Sequence, residues 1–312
     1  MDSKSYTSAS VFPIKLVTDE DIIRHVKDRH IEPTHVQFYP TNKCPYNCSF
    51  CSCKNRDKSL EWTLQQMYDI TTTFSNLGMK ACTISGGGDP LAFPYIESML
   101  QHIWICGVAI GLVTNARLLS KIDKEMLSYL TWCRISLSSE TQLDLDKLEE
   151  NLVPGVDWAF SFVLTPDIDY KYFIECVALA ERKKFTHIRV VDDIINNTDN
   201  MDELNNKISS PLIIWQGRKK VERGNKRCLL SLIKPVVAPD GNVYPCCGAQ
   251  FRKNPPALDL CAEDSMGNNY WDIWDNQKYF DGSSCTNCYY TKYNESMAMI
   301  ENSAKLEHKK FI

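Results

Sequence analysis

The cysteines are the residues of this sequence with the clearest potential for chemistry. The 312 residues include 14 cysteines and only six histidines. Eight of the cysteines are close together in sequence, and these are Cys44, Cys48, Cys51, Cys53, Cys246, Cys247, Cys285 and Cys288. The first residues show neither the basic nor the apolar segment of a secretory signal, so we expect a cytoplasmic protein. In such a chain, clustered cysteines indicate metal ligands or redox groups rather than a disulfide framework.

The first cysteine group, TNKCPYNCSFCSC, places Cys44, Cys48 and Cys51 at the spacing C-x3-C-x2-C. Three thiolates within eight residues can surround one metal centre, whereas a structural zinc site takes four ligands, usually in C-x2-C pairs. Three cysteines would leave an iron–sulfur cluster with one open iron, which a substrate or cofactor can occupy. We expect Cys53, the further thiol nearby, to be a bystander.

These cysteines directly follow the first of six predicted strands. Apolar runs at 35–39, 80–85, 108–114, 133–138, 158–165 and 186–192 predict strands, and amphipathic segments between them predict helices. Strands that alternate with helices pair in parallel with right-handed crossovers. The pattern allows a doubly wound sheet or a full or partial barrel, and in all of these the functional residues lie at the carboxyl ends of the strands. Because the strands are nearly continuously apolar, we expect both faces of the sheet to be buried.

After about residue 205 the alternation of strands and helices ends. Two short strands follow, joined by Asp240–Gly241, which is a strong hairpin signal. The tail at 294–310 predicts an amphipathic or exposed helix, and a short helix is expected near residues 19–29. Four further cysteines stand alone in apolar surroundings that are typical of core thiols, and these are Cys82, Cys106, Cys133 and Cys176.

The cysteine spacing after a first strand resembles that of the radical S-adenosylmethionine (radical SAM) superfamily. The resemblance covers about residues 35–195 and implies an α/β fold, with a partial (β/α)6 barrel at residues 35–205 after an N-terminal extension at residues 1–34. It implies that Cys44, Cys48 and Cys51 hold a 4Fe–4S cluster whose fourth iron is chelated by S-adenosylmethionine. In that family the reduced cluster cleaves the cofactor to a 5′-deoxyadenosyl radical, which abstracts a substrate hydrogen. A reductant such as flavodoxin or ferredoxin is then an implied partner.

The resemblance also implies which residues contact S-adenosylmethionine. Phe50 matches the family's aromatic residue near the adenine. The segment SGGGDPLAFP resembles the glycine-glycine-glutamate-proline motif, with Asp in place of the commoner Glu, and its glycines let the backbone approach the cofactor's ammonium closely. An adenine contact on the sixth strand is expected near Val190 and Val191. The other implied contacts, at the ends of the second to fourth strands, are Gly87, Gly88, Asp89, Pro90, Thr114, Asn115, Ser136 and Ser138.

The second cysteine group resembles the twitch subdomain, the shortened form of the SPASM pattern. Cys228 and Cys246 are followed by the pair Cys285-x2-Cys288. In that subdomain a hairpin and a helix hold one auxiliary 4Fe–4S cluster through four cysteines. The resemblance therefore implies a linker and a twitch subdomain at residues 206–312, with a second cluster on these four thiols. The Gly-x4-Cys spacing favours Cys246 over Cys247, and a zinc ribbon with four cysteine ligands is the alternative.

The basic segment GRKKVERGNKR at 217–227 is the main indication of the substrate. Its six basic residues either contact phosphate or form a solvated linker, and they are Arg218, Lys219, Lys220, Arg223, Lys226 and Arg227. We lean toward a nucleotide or nucleic-acid substrate, such as a hypermodified DNA base, with a ribosomal peptide or an aminoglycoside-like molecule as the alternative. The competing class is a protein without catalytic turnover, either a redox sensor that contains clusters or a structural protein that zinc stabilises. The net charge of −4 argues against whole-surface attraction to nucleic acid, and the longest apolar run, 103–113, is too short for a membrane span.

Overall fold

One sheet of nine strands runs through the part of the chain that the computed structural model describes, which is residues 14–193, 195, 201–216 and 222–303. In chain order the strands are β1 (His35–Phe38), β2 (Ala81–Ile84), β3 (Ala109–Thr114), β4 (Trp132–Leu137), β5 (Asp157–Leu164), β6 (His187–Asp192), β7 (Ile213–Gln216), β8 (Val236–Val237) and β9 (Val243–Tyr244). Their order across the sheet is β7-β6-β5-β4-β3-β2-β1-β8-β9. Neighbouring strands from β7 to β8 are parallel, and only β8 and β9 pair antiparallel.

Helices join the parallel strands, as the alternating sequence pattern predicts. The helices are α1 (Ile14–Thr18), α2 (Glu20–Asp28), α3 (Leu64–Asn76), α4 (Ile96–Ile105), α5 (Lys124–Ser128), α6 (Leu145–Glu150), α7 (Tyr170–Arg182), α8 (Met201–Lys207), α9 (Leu230–Ile233), α10 (Tyr270–Asp275) and α11 (Thr291–Asn302). Side-chain caps fix the starts of some of them: Thr63 and Gln66 form a capping box at α3, and the Asp169 carboxylate accepts the N–H of Tyr172 at α7. Each helix from α3 to α8 lies between two successive strands, which makes the βα units of a partial barrel.

The six predicted strands and the predicted hairpin are confirmed, and the sheet is larger than expected. A seventh parallel strand, β7, lies within the segment predicted as linker and twitch subdomain and pairs with β6. The hairpin of β8 and β9 adds to the other edge, where the N–H groups of Gln37 and Tyr39 donate to the carbonyls of Pro235 and Val237, both at 2.9 Å. The C-terminal hairpin is therefore hydrogen-bonded directly to the first strand of the barrel.

The two faces of the sheet differ in chemistry. The outer face packs on the helices, and on it the Phe38 ring lies 5.9 Å from that of Trp62 and 6.0 Å from that of Phe74. The inner face carries the alternate residues of each strand. Many of these are polar, and they include His35, Gln37, Thr83, Arg134, Ser136, Ser161, His187, Arg189 and Gln216. Of these, Gln37, Thr83, Ser161 and His187 are buried, and the others are partly exposed. The expectation that both faces are buried is therefore confirmed only in part, because alternate positions line the interior of the partial barrel.

The isolated cysteines mostly lie in the core, as predicted. Cys82, Cys133 and Cys176 are at most 2% exposed on the outer face of the sheet and on α7, whereas Cys106, at the end of α4, is only half-buried. Among the helices that the structure describes, none combines the length and the apolar character that crossing a membrane requires.

Candidate active site

The first cysteine group lies in the loop between β1 and α3, at the carboxyl end of β1. Its thiols, on Cys44, Cys48 and Cys51, are half-buried. One buried side chain, Arg56, fastens the loop: its Nε donates to the Asn42 carbonyl at 2.8 Å and its Nη1 to the Cys53 carbonyl at 2.7 Å. Arg56 is 6% exposed. Sequence reasoning missed it, because a lone arginine after a cysteine motif has no signature of its own.

Nitrogen donors point at two of the three sulfur atoms. The Tyr46 N–H lies 3.4 Å and the Asn115 side-chain amide 3.5 Å from Cys44 Sγ, and the Arg56 Nη1 lies 3.4 Å from Cys51 Sγ. Donors of this kind stabilise thiolates and set the potential of iron–sulfur clusters. The residues present therefore fit a cluster held by this loop, with Asn115 and Arg56 as outer partners.

Two thiols of this loop, on Cys44 and Cys48, keep their protons until a metal displaces them. Burial raises the pKa of Cys48 to about 12, and the neighbouring Cys51 and Cys44 raise it further. Burial also raises the pKa of Cys44. Because ligands bind metal as thiolates, assembly of a cluster here must release protons, and its apparent affinity must rise with pH.

The glycine motif packs directly against the cysteine loop. The Gly88 and Asp89 N–H groups donate to the carbonyls of Thr41 at 3.1 Å and Lys43 at 2.9 Å. A Cβ added at Gly88 would lie 2.1 Å from the Lys43 carbonyl oxygen, and one at Gly87 would lie 2.1 Å from an oxygen of the residue 42 side chain. These glycines therefore permit a close approach of the cysteine loop. Their expected approach to the cofactor stays a prediction.

Asp89 joins the end of β2 to the end of β3. Its carboxylate is 3% exposed and accepts from the Thr114 hydroxyl at 2.9 Å, the Asn115 N–H at 2.7 Å and the Leu91 N–H at 2.9 Å. Burial raises its pKa, and these hydrogen bonds oppose the rise. The last bond caps a short turn that begins at the buried Pro90. Asp89 thus positions Asn115, whose amide reaches the sulfur of Cys44.

The other predicted cofactor contacts fall into two groups. Ser136 and Val191 are on the inner face and partly exposed, and Phe50 is half-buried in the cysteine loop. Ser138 is fully buried, and its hydroxyl lies 3.0 Å from that of Thr141 while accepting the N–H of residue 140 at 3.2 Å. Val190, named beside Val191, is buried on the outer face. The Ser138 hydroxyl is therefore engaged by protein groups, and its expected contact with the cofactor stays a prediction.

The second cysteine group surrounds one cavity. Its lining includes Cys228, Cys246, Cys285 and Cys288. Cys247 is absent from that lining, and its sulfur lies 3.1 Å from the hydroxyl of Tyr290. The structure thus brings together the four cysteines that the twitch resemblance names.

Nitrogen donors also reach the sulfurs around this cavity. The Asn294 side-chain amide lies 3.6 Å from Cys228 Sγ, and the Tyr290 N–H lies 3.3 Å from Cys288 Sγ. Within the described ranges, no three Cys, His, Asp or Glu side chains converge as on a single metal ion. The four cysteines line the same cavity, and a cluster with one cysteine at each iron takes four thiolates. The donor set and the cavity fit an iron–sulfur cluster.

The described part of the basic segment holds the second cysteine group together. Residue 222 and Cys288 exchange backbone hydrogen bonds, and the Gly224 N–H donates to the Cys285 carbonyl at 2.9 Å. Arg227 pairs with Glu301 at 2.6 Å and stacks 4.1 Å from the ring of Tyr279. Arg227 is therefore engaged within the protein. Of the other predicted phosphate contacts, Arg218, Lys219 and Lys220 lie outside the described residues, and Arg223 and Lys226 are exposed.

Comparison with known proteins places these features in context. A profile described as the Radical SAM superfamily matches residues 38–196. Two curated relatives are the PqqA peptide cyclase of Streptomyces rochei, 34% identical over 77 residues, and the S-adenosylmethionine-dependent nucleotide dehydratase of Flammeovirga pacifica, 28% identical over 124 residues. These matches cover 24% and 36% of this chain but only 21% and 41% of the relatives. Among solved structures, SuiB of Streptococcus suis bound to S-adenosylmethionine superposes with a TM-score of 0.59 at 18% identity, over 85% of this chain and 71% of that one.

Proposed function

The chain belongs to the radical SAM superfamily, and on that premise we propose that it cleaves S-adenosylmethionine reductively and uses the 5′-deoxyadenosyl radical to abstract a substrate hydrogen. The observation that carries the proposal is the loop after β1, where Cys44, Cys48 and Cys51 lie together with nitrogen donors at two of their sulfurs. A 4Fe–4S cluster, when bound by these thiols, supplies the electron for that cleavage.

The chain's own residues have the task of holding that group and the cofactor in place. Asn115 and Arg56 donate to the ligand sulfurs, which lowers the electron density on them. Gly87 and Gly88 keep the cysteine loop against the end of β2. Because the Asp89 carboxylate is already used by protein donors, we propose that it acts on the cofactor through Asn115 rather than by direct contact.

The cofactor itself is proposed to lie across the carboxyl ends of the strands. Ser136 and Val191 support this, because they are partly exposed on the inner face near the ends of β4 and β6. Phe50, at the rim, is proposed to meet the adenine. The hydroxyl of Ser138 is already engaged with Thr141, so we propose no direct contact for it.

Formation of 5′-deoxyadenosine tests this proposal. Anaerobically reconstituted protein, reduced by dithionite or by flavodoxin or ferredoxin, should convert S-adenosylmethionine to 5′-deoxyadenosine, quantified by mass spectrometry. Cys48→Ala should abolish the product, because a ligand of the cluster is lost, whereas Cys106→Ala, a half-buried thiol at the end of α4, should not. Wild-type protein that binds stoichiometric zinc and no iron, or that forms no 5′-deoxyadenosine, would instead favour the structural or redox-sensing class.

We further propose that Cys228, Cys246, Cys285 and Cys288 hold an auxiliary 4Fe–4S cluster, as in a twitch subdomain. The shared cavity and the donors at two of the sulfurs support this. Wild-type protein should then bind about eight irons, and Cys246→Ala about four. Cys247→Ala is the matched control, since its sulfur faces Tyr290 instead, and it should keep all eight. Loss of iron in Cys247→Ala alone would contradict the ligand assignment.

The substrate class is proposed as nucleotide-like. The similarity to a protein named nucleotide dehydratase and the basic inner face of the barrel support it. The similarity to a protein named peptide cyclase supports the alternative of a peptide substrate. Product analysis with a panel of nucleotides, nucleic acids, peptides and aminoglycosides distinguishes these classes.

A further inference from the structure

Two arginines face the interior of the barrel without an acidic partner. Arg134 on β4 and Arg189 on β6 are on the inner face, on either side of β5. Arg189 donates through Nε and Nη2 to the Ser161 hydroxyl, at 3.2 and 3.0 Å. Among the described residues, Arg134 Nε has no hydrogen-bond partner, and no carboxylate forms an ion pair with either guanidinium.

The interior around these arginines is partly accessible to solvent. Arg134, Ser136, Arg189, Val191 and Gln216 all retain partial exposure. The outward-facing residues next to them on β4 and β6 are fully buried, and these are Cys133, Ile135, Leu137, Ile188 and Val190. Gln216 offers a further polar atom, because its Oε1 is buried and has no hydrogen-bond partner within the described ranges. A ligand can therefore reach this surface, and polar groups are available to meet it.

The arginines lie below the ends of the strands. Each is three residues before the last residue of its strand, which corresponds to roughly 10 Å along a β-strand. Neither side chain rises toward the rim. Arg189 reaches Ser161, its register partner on β5, and the Arg134 guanidinium lies 5.7 Å from the ring centre of Trp132, deeper in the barrel. The cysteine loop and Asn115 lie above them, at the strand ends.

Among the described residues, no carboxylate acts on either of these groups to balance its charge. Burial, with Arg189 adding to it, lowers the pKa of Arg134 to about 9, and burial lowers the pKa of Arg189. An anion between the arginines would supply the missing charge.

We propose that Arg134 and Arg189 bind an anionic group, a phosphate or carboxylate, of a small substrate that enters the barrel below the cofactor. The assignment of that anion to the substrate rests on the proposed function. Guanidinium groups match the oxygens of such anions in pairs, and Ser161 already orients one of them. The terminal phosphate of a small molecule can reach two arginines that lie this far below the strand ends. An internal phosphodiester of a nucleic acid could reach them only if the polymer strand itself entered the barrel.

Binding of inorganic phosphate and pyrophosphate to the reconstituted holoenzyme tests this inference. Both should raise the unfolding temperature of wild type at constant ionic strength. Arg134→Gln and Arg189→Gln should each weaken binding, measured by calorimetry, about 10- to 100-fold, because each removes charge-assisted hydrogen bonds. Arg24→Gln, an exposed arginine on α2, is the matched control and should bind as wild type does. Two independent variants guard against misfolding of either one.

Three results would overturn the inference. One is absence of phosphate and pyrophosphate binding by wild type. Another is unchanged binding in both arginine variants. The third is a loss of S-adenosylmethionine binding in the variants with phosphate binding intact, which would assign the arginines to the cofactor's carboxylate. A wild-type protein that binds phosphate through both arginines but forms no 5′-deoxyadenosine would refute the proposed reaction and leave the anion site standing.

Discussion

Replacement of Arg56 by methionine is the most direct test of how the first cysteine loop is held. Arg56 is 6% exposed and bridges two main-chain carbonyls of the loop, those of Asn42 and Cys53. It also reaches the sulfur of Cys51 at 3.4 Å. Methionine has a similar length and fills the same space, so Arg56→Met removes the donors while keeping most of the packing.

The expected effect follows from the two carbonyl contacts. Hydrogen bonds from a charged donor contribute about 1.5–3 kcal/mol each, and a buried carbonyl left unpaired adds a penalty. The lower figure for each of two bonds gives a loss of about 3 kcal/mol in the free energy that keeps the loop closed. Since 1.4 kcal/mol is a factor of ten, the population of the open loop should rise about a hundredfold.

Alkylation of the iron-free protein measures that population. In Arg56→Met, iodoacetamide should modify Cys48 and Cys51 much faster than in wild type, followed by mass spectrometry of the loop peptide. Iron bound after reconstitution should fall in parallel. Arg56→Lys should lie between the two, because one ammonium cannot bridge both carbonyls as the guanidinium fork does. Lys58→Met, an exposed residue of the same loop, is the control and should match wild type.

An effect no larger than that of an ordinary surface substitution would refute this reasoning. If Arg56→Met changes the free energy of unfolding by less than about 0.5 kcal/mol and leaves both alkylation and iron binding unchanged, the loop is not held by this side chain. Faster alkylation in Lys58→Met as well would show that the loop opens for a reason unrelated to the buried contacts.

Two further perturbations follow from the same geometry. Gly88→Ala places a Cβ 2.1 Å from the Lys43 carbonyl oxygen, so unfolding measurements should show a loss of about 2 kcal/mol in the free energy of unfolding, and reconstituted protein should hold less iron. Lys58→Ala, at an exposed position of the cysteine loop, should change neither. Burial lowers the pKa of His35 to about 3. Below about pH 6.5 the unfolded chain therefore binds a proton at His35 that the folded protein does not bind. The free energy of unfolding consequently falls as the pH is lowered from about 6.5 toward 3. Between pH 7 and pH 5, the free energy of unfolding of His35→Gln, measured by urea titration, should therefore fall by about 2 kcal/mol less than that of wild type. An equal fall in His35→Gln and wild type would contradict this origin. So would an equally reduced fall in His30→Gln, at an exposed position.

Local patterns were sufficient to predict most of the framework. The spacing of Cys44, Cys48 and Cys51, the six apolar runs and the Asp240–Gly241 turn each express a preference over a few residues, and the predicted strands and hairpin are confirmed. Such signals are readable because strand periodicity, turn chemistry and ligand spacing depend on near neighbours in the chain. The family resemblance, carried by the same residues, is confirmed by the profile that matches residues 38–196.

The chemistry of the interior depended on contacts between distant segments. Arg134 and Arg189 read as ordinary residues in apolar runs, and only the strand register shows that both face the inside of the barrel. The choice between Cys246 and Cys247 likewise depends on which sulfur the chain turns toward the cavity. Adjacent residues of an extended chain point to opposite sides, so sequence proximity cannot decide between them.

The sequence by itself determined which residue types are available and where the strands end, and hence that cysteines, glycines and a Thr–Asn pair would gather at one rim of a parallel sheet. Only the tertiary structure decided what those residues contact: Arg56 fastens the cysteine loop, Asp89 is used by Thr114 and Asn115, and the hairpin pairs with β1. The physical reason is that propensities act within a few residues, whereas the partner of a buried polar group is set by packing among segments far apart in the chain.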